Sequence, residues 1–269
     1  MKTRTTVKRI GTLALAGGMV LSFGSTVFAA GTATATVTPS PGTSKAGKTS
    51  KTSNIVDALK QACEVAIDHR LTSLADLRGK VSSSTYLTAG NKATLLGEIG
   101  AENDGLAALR VKIAGDTDRP TLAADCKSIV EHYRVYLLMI PKAHLMIASD
   151  AASVIGQKLT DLATKLQADI DRAKSAGKET ADAQRDLDNL KAAISAGTGA
   201  AGPVDGLLNF TLPLNPSEYP ADQQNVKTAR TDMATAHTDF VQAGKDAKQV
   251  VADLKALKTP TPATPTATG

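Results

Sequence analysis

The stretch NIVDALKQACEVAIDHRLTSLADLRGKV, residues 54–81, decides the fold class of this 269-residue chain. Its larger apolar residues recur at steps of three and four, the spacing that places side chains on one face of an α-helix. They are Val56, Leu59, Cys63, Ile67, Leu71, Leu74, Leu77 and Val81. Asn54 is a suitable cap and Asp57 lies in the first turn, where an acid favours the helix dipole. The stretch predicts a long helix that must bury one face against other elements.

The same periodicity continues along residues 54–258, and no segment there is typical of a β-sheet. Thr88 is predicted to cap the second helix, and the third is predicted to open at Asp118-Arg119-Pro120, with the proline in its first turn. Further stripes predict helices ending at Gly177, near Ala196 and near Leu257. The glycine- and proline-rich stretch 197–220 is predicted to be an ordered connection packed on a bundle end. Residues 54–258 are therefore predicted to form an all-α domain, an elongated antiparallel bundle of about five helices with coiled-coil-like seams, with room for two packed sub-bundles.

The densest apolar run of the chain after the N-terminal region spans residues 134–147 and contains Pro141. Proline breaks or kinks a helix that precedes it, so residues 133–145 are consistent with either a kinked helix or an extended strap. Met139 and Met146 are seven residues apart and would share one helical face. That face is interpreted as bundle core, with an adaptable partner-binding surface as the alternative.

Two cysteines occur in the chain, Cys63 in the first predicted helix and Cys126 in the third. If the first two helices form an antiparallel hairpin, the third runs parallel to the first, and both sulfurs lie about 12 to 14 Å from the same end. In an oxidising compartment this register favours a structural disulfide over two buried free thiols.

The chain ends predict export and flexibility. Residues 1–29 have the cationic start, apolar stretch and small-x-small site of a signal peptide cleaved after Ala29; an uncleaved membrane anchor is the alternative. Residues 30–53 and the tail 259–269 are rich in Ala, Thr, Ser and Pro and are predicted to be a disordered leader and tail. The protein is therefore predicted to be secreted or cell-wall associated, with no stable membrane insertion after the signal is removed.

Removal of residues 1–29 also corrects the charge balance. The full chain has 31 Lys and Arg against 26 Asp and Glu, and the four cations Lys2, Arg4, Lys8 and Arg9 leave 27 against 26 after cleavage. A chain this close to neutral gives no electrostatic reason to expect nucleic acid as a partner.

The sequence contains no nucleophile elbow or metalloprotease motif, so we predict no catalytic residue, no metal ligand and no cofactor. Among the histidines, His132 and His144 lie close to Pro141 in sequence. A ligand or metal pocket near Pro141, built from one of these with Glu131, Asp125 or Asp150, is the alternative hypothesis.

Several short segments resemble a group of exported all-helical proteins of high-GC Gram-positive bacteria that have no assigned activity. The segments are Cys63 with Ala66-Ile67 and Arg70-Leu71, Asp116-Thr117-Asp118, Arg134-Val135-Tyr136, and Pro141-Lys142 with His144-Leu145. The resemblance implies export and an all-helical fold, and it transfers no functional residue. The long amphipathic helices, the expected disulfide, the flexible Thr- and Pro-rich ends and the absence of catalytic motifs lead us to expect a non-enzymatic protein that contacts an unknown macromolecule of the cell envelope or extracellular space.

Overall fold

The computed structural model describes residues 48–213, 215 and 217–257, with side chains from Ile55 onward. No strand occurs in this part of the chain, and the prediction of an all-α bundle is confirmed. The helices are α1 (Lys48–Ser83), α2 (Ala89–Gly115), α3 (Arg119–Glu131), a π-helical turn (Val135–Met139), α4 (Ile140–Ser175), α5 (Ala181–Ala201), α6 (Val204–Leu207) and α7 (Tyr219–Ala256). The predicted signal peptide 1–29 with its cleavage after Ala29, the first part of the leader and the tail 259–269 lie outside the described residues.

The ends of the first helices follow the predicted signals closely. The Thr88 hydroxyl accepts a hydrogen bond from the Asn91 amide at 3.2 Å, and the Asp118 carboxylate accepts one from the Thr121 amide at 3.0 Å. Each bond satisfies an amide that has no partner within its own helix. One boundary differs, because α1 begins at Lys48, so residues 48–53 of the predicted leader are helical.

The segment around Pro141 is helical from Val135 onward, with only Tyr133 and Arg134 irregular before it, so the alternative of an extended strap is wrong. The amide of Met139 donates to the carbonyl of Arg134 and the amide of Ile140 to that of Val135, which makes the turn before Pro141 a π-helical one. Proline lacks an amide hydrogen, and in a regular α-helix its ring meets the carbonyl four residues earlier. The π-helical turn ends at Met139, two residues before Pro141, and α4 continues from Ile140 to Ser175.

The bundle has two apolar cores, which share α4, α5 and α7. The larger one, here called the disulfide core, is built by α1, α2, α3, the π-helical turn, the first part of α4, the end of α5, α6 and the first part of α7. The smaller one, the three-helix core, joins the later part of α4 to α5 and the later part of α7. At 1.5 Å per residue, α4 and α7 are each roughly 55 Å long, so each is long enough to contribute side chains to both cores.

A tight contact between helices marks the place where the two cores meet. Gly197 of α5 lies under the ring of Phe240, and a Cβ atom at this glycine would come within 2.9 Å of Phe240 Cε1. Gly156 of α4 is similarly close to Thr198, whose Cγ2 would be 2.7 Å from a Cβ. These glycines allow α4, α5 and α7 to approach one another, and α5 extends to Ala201, beyond its predicted end.

The cysteine pairing predicted from the topology is confirmed. Cys63 of α1 and Cys126 of α3 form a disulfide with their Cα atoms 5.6 Å apart, so the two buried free thiols considered as an alternative do not occur. The bond closes a sequence separation of 63 residues and fixes α3 beside α1. A disulfide is compatible with an extracellular location, where such bonds persist.

Among the residues that the structure describes, one segment passes the length and hydropathy test for a membrane span. It lies within residues 119–175 and has a mean hydropathy of 1.2 over its most apolar window. Of that window, 56% is buried inside the bundle, as in the core helix of a globular domain.

Candidate functional site

A lysine lies at the centre of the disulfide core. Lys142 follows Pro141 in the first turn of α4 and is only 1% exposed. Its Nζ donates to Glu98 Oε1 at 2.7 Å and to the backbone carbonyl oxygen of Phe210, and it lies 4.7 Å from the centre of the Phe210 ring. An ammonium group is buried at low cost only when its hydrogen bonds and its charge are matched, and these contacts do both.

Two acidic residues lie on one face of α2, and one of them, Glu98, contacts this lysine. Glu98 and Glu102 are four residues apart, which places them one turn from each other. Glu98 is 7% exposed, and Glu102 is fully buried. Neither oxygen of Glu102 has a hydrogen-bond partner, and the same is true of Glu98 Oε2. The site therefore holds more carboxylate oxygens than the single lysine engages.

Burial and like charge perturb both acids. Burial raises the pKa of Glu102, and the neighbouring Glu98 raises it further, to about 8. Burial also raises the pKa of Glu98, while the hydrogen bond and charge of Lys142 oppose that shift. A pKa of about 8 favours the neutral form of Glu102 at pH 7, and Glu98 is the acid paired with the lysine.

Residues from other elements surround the acid pair. Tyr133, which follows α3, packs against Gly105 of α2 so closely that a Cβ there would lie 2.5 Å from the Tyr133 ring. Burial and Glu102 both raise the pKa of Tyr133. Asp222, in the first turn of α7, is buried, and burial raises its pKa while Lys142 lowers it. With Lys142 of α4 and the carbonyl of Phe210, five parts of the fold thus converge on this polar cluster.

A separate buried carboxylate ties α4 to the loop between α1 and α2. Asp150 accepts a hydrogen bond from the Thr88 amide at 2.7 Å and another from Asn91 Nδ2 at 3.1 Å. These donors match its charge, and its role is to hold the start of α2 against α4.

The residues of the predicted pocket near Pro141 lie apart and are engaged separately. His132 makes an edge-to-face contact with Tyr133, and His144 lies on the exposed side of α4, where partial burial and then Lys80 lower its pKa. Glu131 pairs with Lys127 and Asp125 with Lys112. Within the described residues, no group of three or more His, Cys, Asp or Glu side chains is placed to hold a metal ion.

The π-helical turn presents two large side chains to solvent. Tyr136 and Leu137 are 44% and 46% exposed, although the adjacent Val135, Leu138 and Met139 are fully buried. Met139 and Met146 are both buried, so the core interpretation of the methionine face is confirmed and the exposed methionine surface is wrong. The large side chains of this run that are exposed are Tyr136 and Leu137, both on the π-helical turn.

Polar side chains of α1 hold the exposed tyrosine in place. The Arg70 guanidinium lies 5.2 Å from the centre of the Tyr136 ring, and the Tyr136 hydroxyl is 3.2 Å from Ser73 Oγ. On the other side of the turn, the Arg134 guanidinium stacks 3.5 Å from the centre of the Tyr219 ring. We call the exposed Tyr136 and Leu137, together with the half-buried Arg70 and Ser73 beside them, the π-turn surface.

A groove of about 650 Å³ runs between α4 and α5 beside the three-helix core. Its polar lining is already engaged: Lys191 Nζ donates to Gln167 Oε1, and the hydroxyls of Thr160 and Thr198 donate to carbonyls of their own helices. The groove therefore presents few free polar groups for a ligand.

The chain matches no protein-family model, no curated protein and no solved structure.

Sequence reasoning missed the buried acid pair, although a signal for it exists. Glu102 falls in step with the apolar stripe of α2, between Ile99 and Leu106. Lys142 likewise interrupts the densest apolar run. A charged residue at a position where the helical period requires an apolar one is the pattern to search for.

Proposed function

We propose that this protein is a non-enzymatic exported bundle that binds another protein of the cell envelope or extracellular space through the π-turn surface. The observation that carries the proposal is the exposure of Tyr136 and Leu137 on a π-helical turn whose other side chains are fully buried. π-helical turns are frequent at functional sites. Export rests on the sequence of residues 1–29, and the disulfide is compatible with it.

The chemistry of the π-turn surface suits a protein partner. Tyrosine and arginine are enriched among the residues that contribute most to protein interfaces, since each combines a large apolar area with directed hydrogen bonding. Arg70 and Ser73 hold the Tyr136 ring before any partner arrives. A side chain fixed in advance loses less conformational entropy on binding, which favours affinity.

A photo-cross-linking amino acid tests this proposal in intact cells of the source organism. Placed at Leu137, it should give a defined adduct with one protein, and the added substitution Tyr136→Ala should reduce adduct yield at least tenfold. The matched control position is Val241 of α7, which is 45% exposed but lies beside the three-helix core. Adducts of equal yield from both positions, or none from Leu137, would contradict the proposal.

A further inference from the structure

The acid pair of α2 is short of positive charge. Glu98 and Glu102 bring two carboxyl groups into the disulfide core, and Lys142 pairs with Glu98 alone. Three of the four carboxyl oxygens have no hydrogen-bond partner. Two ionised carboxylates one helical turn apart, away from water and beside one ammonium, would leave an unmatched negative charge in the core.

The other charged and titratable groups around α2 do not supply the missing charge. From α1, Asp68 pairs with Arg110, and Lys60 Nζ donates to the carbonyl of Ala114 at 2.9 Å, both on exposed parts of the helices. From α3, Asp125 is held by Lys112. Tyr133 after α3 lies beside Glu102, and Asp222 of α7 lies beside Lys142; neither is cationic. Arg70 lies over Tyr136, and Arg134 is stacked on Tyr219.

We propose that Glu102 is a proton-binding site around which the disulfide core folds, so that the bundle is more stable in an acidic medium and loosens when the proton leaves. The ligand is a proton, and its binding neutralises a carboxylate that has no hydrogen-bond partner. This inference concerns the core and does not depend on the partner proposed for the π-turn surface.

The direction of the effect follows from proton linkage. The pKa of Glu102 is about 8 in the folded chain against an ordinary value of 4.5, so the folded state holds one proton more than the unfolded state between those limits. Stability falls with rising pH wherever the folded state binds more protons. The contribution is fully present below about pH 4.5 and is lost as the pH rises toward 8.

Equilibrium unfolding of the oxidised mature chain in urea, repeated between pH 5 and pH 8, tests the proposal. The variant Glu102→Gln keeps the shape of the neutral acid and cannot ionise. Relative to this variant, the folding equilibrium constant of the parent should fall roughly tenfold for each pH unit in this range. The control Asp104→Asn removes an exposed carboxylate of the same helix and should leave the pH dependence of the parent unchanged.

An infrared difference spectrum supplies a readout that does not depend on the stability of the variant. At pH 7, the parent should show the carbonyl stretch of a protonated carboxylic acid, and this band should be lost in Glu102→Gln and kept in Asp104→Asn. The proposal is overturned if the parent lacks the band or if parent and Glu102→Gln share one pH dependence. It is also overturned if added calcium or potassium chloride, and not acid, stabilises the parent specifically over Glu102→Gln.

Discussion

The two cores of this bundle are made of similar helices and differ in what they bury. In the disulfide core, the buried charged residues that the structure describes are Glu98, Glu102, Asp125, Lys142, Asp150 and Asp222. The three-helix core consists of aliphatic residues such as Ala183, Leu187 and Leu190 of α5, and the buried polar residue at the start of α5, Thr180, carries no charge. Irregular backbone and buried charge therefore occur together at one end of the molecule, and regular apolar packing occupies the other.

The physical reason for the difference is the number of elements that must meet. Three long helices can pack through small and branched side chains at a period of three and four, as α5 and α7 do. The disulfide core joins more segments, which include a π-helical turn and the connection through Phe210. A buried lysine that bonds both a side chain of α2 and a backbone carbonyl of this connection aligns elements that apolar packing alone leaves free to slide.

Removal of the buried lysine is expected to have the largest effect, and it tests whether buried charge distinguishes the disulfide core from the three-helix core. Lys142→Met leaves Glu98 buried without a partner beside Glu102, so the free energy of unfolding at pH 7 should fall by roughly 3 to 5 kcal/mol. Urea unfolding followed by circular dichroism measures the loss.

The exposed Lys245 of α7 provides the control, and Lys245→Met should change stability by less than about 0.5 kcal/mol. The cost of Lys142→Met should shrink at pH 5, where Glu98 can take up a proton. Equal losses from the two variants would contradict a special role for the buried charge.

The disulfide provides the second test, because it constrains only one of the two cores. The double variant Cys63→Ser and Cys126→Ser should lower the free energy of unfolding by about 2 to 4 kcal/mol, since the open chain recovers the entropy of a long loop. Hydrogen exchange should show the loss in α1 and α3. Amides of α5 and the later part of α7 should keep more of their protection. A uniform loss of protection across both cores would show that they unfold as one unit.

The third and smallest effect concerns the joint between the cores. Gly197→Ala adds a Cβ within 2.9 Å of the Phe240 ring, and overpacking of this kind costs roughly 1 to 3 kcal/mol. Gly199→Ala is the matched control, because a Cβ at Gly199 meets no atom within 4 Å and alanine favours the helix. Thermal unfolding should therefore give a lower midpoint for the first variant and an unchanged or higher one for the second. If Gly199→Ala were destabilised as much as Gly197→Ala, the loss at Gly197 could not be assigned to the Phe240 contact.

The apolar stripes of the three-helix core and most helix ends could be predicted from the sequence, although α1 begins at Lys48 and α5 ends at Ala201, outside the predicted bounds. The periodic stripes of α5 and α7, the Thr88 and Asp118 caps and the turn at Gly177, which has φ of 73°, all appear where local chemistry places them. The polar cluster could not be predicted in this way. Glu98 and Lys142 are 44 residues apart, and only the packing of α4 against the other helices brings them together. The π-helical turn could not be predicted either, because a proline such as Pro141 is compatible with a break, a kink or a wider turn.

By itself, the sequence determined that this chain is helical, where most helices begin and end, and that its two cysteines meet, because these follow from residue period, capping chemistry and register along neighbouring helices. Only the tertiary structure decided which polar residues enter the core and which apolar ones remain outside. Those outcomes depend on distances between segments far apart in the chain, where burial sets the electrostatic cost of each charge. The same amino acid, glutamate, is for that reason an exposed surface residue at position 218 and a buried neutral acid at position 102.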